Sequence, residues 1–274
     1  MAGGLGRAFF GRLREQSPFW VRVLLASSSI ALIIFVWWLA TRGVAEERVI
    51  SPAILESPGE TLASFKSLWF DRALTRNLVW SLWRVLQGFG LAALVGVPIG
   101  IAAGTFRPLE SFLAPITMFG RNVPISALVP LTLLWFGIEE TQKVMFIFIA
   151  SVAFVTVDAT RSTLDVEERY VETAYTLGAS RWQVVRKVII PLALPDVFNS
   201  LRLLFGLAFG YIILAEMVNM DRGLGTLILI SQRRGPKAHV YLILILIALV
   251  AFGIDRGLQA LGRSLFAYKY AREA

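Results

Sequence analysis

Six long apolar runs organise the chain, at 23–40, 78–104, 111–137, 144–160, 197–218 and 240–261. At 1.5 Å of rise per residue, each is of a length to cross a hydrocarbon core about 30 Å thick as a helix. The pattern predicts an all-α, polytopic membrane protein with six transmembrane helices, whose even number of spans puts both termini on one side. The first run follows Arg7, Arg12, Arg14 and Arg22, as a signal peptide's core would. It is long for a cleavable segment, it contains Trp37 and Trp38, and Gly43-Val44-Ala45 is a poor cleavage site, so it reads as a retained anchor.

The polar stretches between the runs carry helix signals of their own. In 41–77, Ser57-Pro58-Gly59-Glu60 places a serine N-cap, a proline at the first helical position and a glutamate at the third. Leu62, Phe65 and Trp69 then share one face, which predicts a short helix lying on the membrane surface. Gly96, Gly100 and Gly104 recur every four residues, as do Gly206 and Gly210, so both faces are expected to pack against other helices.

The stretch 161–195 is longer than a connector between spans needs. Asp165-Val166-Glu167-Glu168 can begin a helix with Asp165 as N-cap and Glu168 at the third position. That helix should end near Leu177, where Gly178 takes the left-handed conformation at little cost. Ser180-Arg181-Trp182-Gln183 is a second capping box, and Pro191 and Pro195 should interrupt or bend the chain before the fifth run. Two short helices with a glycine elbow are expected.

Charge fixes the orientation. Only 17% of residues are charged, below the quarter usual in soluble domains, and mean hydropathy is +0.66. A net charge of +8 would suit nucleic acid in a soluble protein, but here the cations gather at the ends of apolar runs, so no nucleic-acid partner is expected. Of the 27 Lys and Arg, fourteen fall in segments inside the cell if the N-terminus is inside, ten fall outside, and Arg84, Arg121 and Arg202 lie within or at the ends of spans. The expected organisation is a cytoplasmic segment 1–22, a six-span domain 23–262 with a cytoplasmic loop 161–195, and a cytoplasmic tail 263–274.

Catalytic chemistry is poorly provided for. Cysteine is absent and His239 is the only histidine, which leaves no thiolate or histidine metal site. There is no G-x-x-x-x-G-K-[ST], no H-E-x-x-H and no Ser/His/Asp set, so the chain reads as a non-enzyme with no cofactor or metal of its own. His239 reads as an interfacial residue at the mouth of the last span, and the tryptophans near span ends as an aromatic belt. Charges within spans are costly and mark function by default, which makes Arg84, Arg121 and Glu216 candidates for a substrate pathway. Two other readings stand beside this one: Arg84 snorkels to headgroups, or Glu216 pairs with one of the arginines.

Glu172-Thr173-Ala174, Gly178 and Val188-Ile189-Ile190-Pro191 resemble, at the right spacing, the EAA loop of binding-protein-dependent ABC importer permeases. The family pattern is Glu-Ala-Ala, three residues, Gly, nine residues, Ile-x-Leu-Pro; Thr173, Val188 and Ile190 are mild departures. Further ordered matches are Ser81-Leu82-Trp83-Arg84, Gly96-Val97-Pro98-Ile99-Gly100, Arg121-Asn122-Val123-Pro124, Leu134-Trp135-Phe136-Gly137-Ile138, Ala215-Glu216 and Arg222-Gly223-Leu224-Gly225. Together they are similar to the nitrate/sulfonate/taurine/bicarbonate branch, with Ile125 where the pattern has a second proline. The resemblance implies a MetI-like fold and a bacterial inner-membrane homodimer. It also implies two ABC ATPase subunits that bind the ATP, and a periplasmic substrate-binding protein. Glu172, Thr173, Ala174, Gly178 and Pro191 would couple to the ATPase, and the solute would be a small anion. A cationic or neutral solute is the alternative, and a non-transporting membrane scaffold a more distant one.

Overall fold

A computed structural model describes residues 18–270 apart from 45, 47, 219 and 220. Arg7, Arg12, Arg14 and Arg272, with most of segment 1–22 and the end of tail 263–274, lie outside the described residues. All regular structure among the described residues is helical. In chain order the helices are α1 (Phe19–Thr41), α2 (Pro58–Ala63), α3 (Phe65–Phe70), α4 (Leu74–Thr105), α5 (Arg107–Asn122), α6 (Ile125–Phe136) and α7 (Glu140–Leu164). There follow α8 (Glu168–Thr176), α9 (Arg181–Val184), a π turn over Val185–Ile189, α10 (Ile190–Val218), α11 (Leu224–Arg234), α12 (Ala238–Leu265) and α13 (Ala267–Tyr270).

Five stretches are long and apolar enough to cross a membrane: α1, α4, α7, the continuous 181–218 helix, and α12. The third apolar run differs from expectation. It is two helices, α5 and α6, bent by 99°, and supplies a sixth crossing only as a bent pair. Pro124 explains the break, because it has no N–H and its ring drives the preceding residue out of the helical region. Val123 accordingly sits at φ −67°, ψ 126°.

Glycine spacing sets the closest helix pair. A side chain on Gly88 would meet Ile147 and the Val144 carbonyl, and those on Gly96, Gly100 and Gly104 would meet Val155, Ala159 and Thr163 respectively. The register is constant, so α4 and α7 run parallel, with buried Ala92 completing a small-residue row at every fourth position. At Gly100 an added Cβ would lie 2.5 Å from the Thr156 carbonyl, so only glycine permits this approach. Gly206 and Gly210 behave otherwise: a side chain added at either would meet nothing within 4 Å, and the packing expected of them does not occur among the described residues. Among the described residues both glycines stay exposed.

Lipid is as apolar as leucine, so burial from water contributes little to holding spans together; close packing and buried polar ties must do it. The core gathers Val85 and Phe89 of α4, Phe146 and Ile147 of α7, Phe205, Phe209 and Ile212 of α10, and Leu242 and Ile243 of α12. Phe89 and Phe205 meet edge-on at 5.5 Å, and Arg202 of α10 pairs with Asp255 of α12 at 3.0 Å.

The surface segment forms as its caps predict. Ser57 and Glu60 make a reciprocal capping box, and Arg48 grips the same carboxylate at 2.8 Å. Hydrogen bonds from Arg48 and then Ser57 hold Glu60 at a pKa of about 2. Leu62 and Trp69 stay exposed while Thr61 and Leu68 face inward. His239 stands at the start of α12, as expected at the mouth of the last span, and is buried there, with Nε2 2.7 Å from the Ser67 hydroxyl of α3.

Candidate functional site

The elbow is built by local rules. α8 ends at Leu177, and Gly178 follows at φ +83°, where a side chain would be strained. The Gly178 N–H donates to the Tyr175 carbonyl at 2.9 Å and that of Ala179 to the Ala174 carbonyl at 3.0 Å, the paired bonds of a Schellman stop. Ser180 and Gln183 then cap each other's backbone and restart the helix. Two expectations are corrected. The N-cap of α8 is Glu167, with no side-chain cap bond, while Asp165 closes α7. Nor does Pro191 end the second helix: the chain stays helical from Arg181 to Val218. The π turn immediately before Pro191 widens the helix where the proline ring would otherwise clash.

What the elbow offers is mostly side chains. Glu172 and Thr173 are exposed and Ala174 half-buried, while Leu177 is 82% and Trp182 67% exposed. Leu177 and Trp182 are thus apolar side chains left uncovered on the two sides of the glycine turn.

Arg84 and Glu216 come together toward the opposite end of the bundle, which is the pairing of Glu216 with one of the arginines. Both are fully buried, 2.7 Å apart. The Arg84 fork also holds Glu140 through two bonds of 2.6 Å and donates to the Arg222 carbonyl at 2.7 Å. Glu216 accepts from Ser81 at 2.7 Å and from the Gly225 N–H at 2.9 Å, and Lys143 closes the group on Glu140 at 3.0 Å. Asn77 accepts from Gly223 at 2.8 Å and Ser81 from Leu224 at 2.9 Å. Gly223 is at φ +119°, and a side chain there would run into the Glu216 carboxylate. At 11 residues α11 is too short to span, and this network ties it to α4. Arg84 is buried and does not snorkel; its charge is paired with two carboxylates.

Arg121 stands apart from them. It sits at the end of α5, beside the bend, and borders a cavity of about 530 Å³ between α5, α7 and the end of α4. Thr117, Asn122, Thr156, Thr160 and Arg161 supply the other polar lining, and Glu110 and Leu164 mark its end on the elbow side. The guanidinium lies 5.3 Å from the Phe154 ring centroid. Among the described residues it makes no ion pair or hydrogen bond, and the half-buried Asp158 of α7 acts on both Arg121 and Arg161 through space. The pairing of Arg121 with Glu216 does not occur. Asp158, Glu140, Ser81 and Asn77 were not singled out from the sequence, although Asn77, Ser81 and Arg84 share one face of α4 at helical spacing.

An all-helical bundle with five apolar spans and one bent pair, and a capped elbow presented on one side, defines a polytopic membrane protein. Residues 96–266 match the model of the binding-protein-dependent transport system inner membrane component family, and the chain belongs to that family. It is 34% identical to the taurine transport system permease protein TauC of Escherichia coli (strain K12), over 93% of each chain. It is 30% identical to the putative aliphatic sulfonates transport permease protein SsuC of Bacillus subtilis (strain 168), over 93% of this chain and 90% of that one. It is also 30% identical to the bicarbonate transport system permease protein CmpB of Synechococcus elongatus, over 85% and 86%. Among solved structures, the inward-facing methionine ABC transporter MetNI superposes with a TM-score of 0.65 at 21% identity, over 73% of this chain and 98% of that one. At that identity the likeness concerns the fold alone. The chain is a multi-pass permease of an ABC importer, a transport subunit and not itself an enzyme; ATP is used by a separate subunit.

Proposed function

We propose that the permease carries a small anion of the sulfonate or bicarbonate kind, and that Arg121 meets it. The unpaired Arg121 guanidinium in the cavity carries this reading. The guanidinium is exposed on the cavity wall with its donors free of ion pairs, so an anionic solute can take them up. The names of the relatives agree, since taurine, aliphatic sulfonates and bicarbonate each bear an anionic group. Arg84 and Glu216 have a structural part, holding α11 against α4.

The working complex in this reading is two copies of the chain, two ATPase subunits and a periplasmic binding protein, with both termini and the elbow in the cytoplasm of a bacterium. Glu172, Thr173, Ala174 and Gly178 dock on the ATPase, and Pro191 lies on the helix that passes its movement to the bundle. Closure of the ATPase dimer shifts the balance of inward- and outward-open states, by no more than the difference in its affinity for the two.

Uptake into proteoliposomes tests the anion reading. A charge-assisted bond is worth about 1.5 kcal/mol at the low end that an exposed group warrants, so Arg121→Ala should lower solute uptake about tenfold while basal ATP hydrolysis persists. Arg121→Lys should recover only part, keeping charge but losing the planar fork. Native transport by Arg121→Ala would remove the arginine from the pathway, and native transport of a cation by the same complex would reject the anion class.

A further inference from the structure

Pro191 and Pro195 stand one turn apart in the helix that joins the elbow to the bundle. Neither has an N–H, so the Pro191 carbonyl, whose helical donor would be residue 195, has none. Just before it the ladder is already altered, the Ile190 N–H reaching five residues back to Val185 within the π turn. Between 185 and 195 the helix is thus short of backbone bonds, and this stretch joins the elbow to α10 along the chain.

The C-terminal segment closes over this stretch. Past α12 the chain turns at Phe266, and α13 folds back on α10. Tyr268 donates its hydroxyl to the orphaned Pro191 carbonyl at 2.5 Å. Lys269 donates to Asp196 at 2.5 Å, and Phe266 packs edge-on against Phe198 at 5.7 Å. Three contacts at 191, 196 and 198 bracket Pro195. Beside them a cavity of about 250 Å³, lined by Asp165, Tyr170, Pro195 and Tyr268 among others, lies between the C-terminal segment and the start of α8.

We propose that Tyr268 and Lys269 are positioning residues for energy coupling: they splint the proline-weakened joint at 185–195, so that a push on the elbow moves α10 instead of bending the joint. The proposal rests on the reading that the elbow docks the ATPase. Without the splint the ATPase would still dock and turn over, but part of its stroke would be absorbed in the joint.

Tyr268→Phe keeps the ring and removes only the donor; Lys269→Met keeps the stem and removes the charge. In the reconstituted complex with ATPase and loaded binding protein, solute moved per ATP hydrolysed should fall about two- to tenfold in the double variant, the range expected for losing such bonds. Amide hydrogen exchange across 185–195 should quicken by a similar factor. Lys269→Arg, which can keep the pair with Asp196, should restore part of both in the Tyr268→Phe background. A native ratio of solute to ATP overturns the proposal, whatever the exchange does; so does native exchange at 185–195. Failure of the docking reading shows separately, as an unchanged ATPase pull-down by Glu172→Lys.

Discussion

Glu216→Ala removes the hub of the polar network between α4, α7 and α11. The change strips Arg84 of its fully buried partner, leaves the Gly225 N–H and the Ser81 hydroxyl without their acceptor, and opens a hole against Gly223. Arg84 keeps Glu140, whose side chain is 45% exposed, so its charge is only half compensated. Breaking a buried ion pair on one side costs about 3–5 kcal/mol, and the orphaned N–H falls within that sum because it belongs to the same group. In a chain of this size each kcal/mol moves the melting temperature by about 2–4 °C, which gives a drop on the order of 10 °C. Tryptophan fluorescence of the detergent-purified protein during heating reads this directly. The double change Arg84→Met/Glu216→Leu removes both charges and should recover a good part of the loss, because the penalty lies in the uncompensated partner. A native melting temperature for Glu216→Ala would refute the reasoning, as would a double variant no better than the single.

Two further predictions concern the segments outside the bundle. Glu60 has its folded pKa depressed below the ordinary 4.5, so its bonds to Arg48 and Ser57 contribute fully above that value and are lost as pH falls through about 2. Glu60→Gln should therefore lower the melting temperature at pH 6, with the difference from native narrowing below pH 4; a difference that does not change with pH would contradict it. Single cysteines at Ser180 and Lys66, in a chain with none of its own, should differ towards an impermeant thiol reagent on intact cells. Lys66 should label and Ser180 should not, and labelling at Ser180 before lysis would reverse the orientation.

What could be read from the sequence was what depends on neighbours along the chain. Gly178 and the Ser180–Gln183 box are local instructions, and the elbow follows them. The apolar runs set out the spans for the same reason. The bend at Val123-Pro124 is less legible: Arg121-Asn122 and Pro124 mark a candidate break, but the apolar residues on both sides are enough for one straight span and give no angle. At Pro191 a local rule misled in the other direction: the helix survives through a π turn before it and a hydroxyl supplied from residue 268. Arg84 and Glu216 are 132 positions apart, and no spacing rule joins them; only the polar face Asn77, Ser81, Arg84 hinted at a buried partner. Asp158 was passed over because it lies inside a run counted as apolar, and its bearing on Arg121 exists only once α5 folds against α7.

Coupling through the elbow is tested most directly by one variant, Gly178→Val, in the complex with ATPase and binding protein. Valine at φ +83° strains the Schellman stop, which should tilt the exposed Leu177 and Trp182 away from their docking position while leaving the bundle untouched. The measurement is ATP hydrolysis with and without the solute-loaded binding protein. Native complex should hydrolyse faster when loaded protein is added, and Gly178→Val, inserted and folded, should lose that stimulation. Full stimulation in the variant would contradict transmission through this loop.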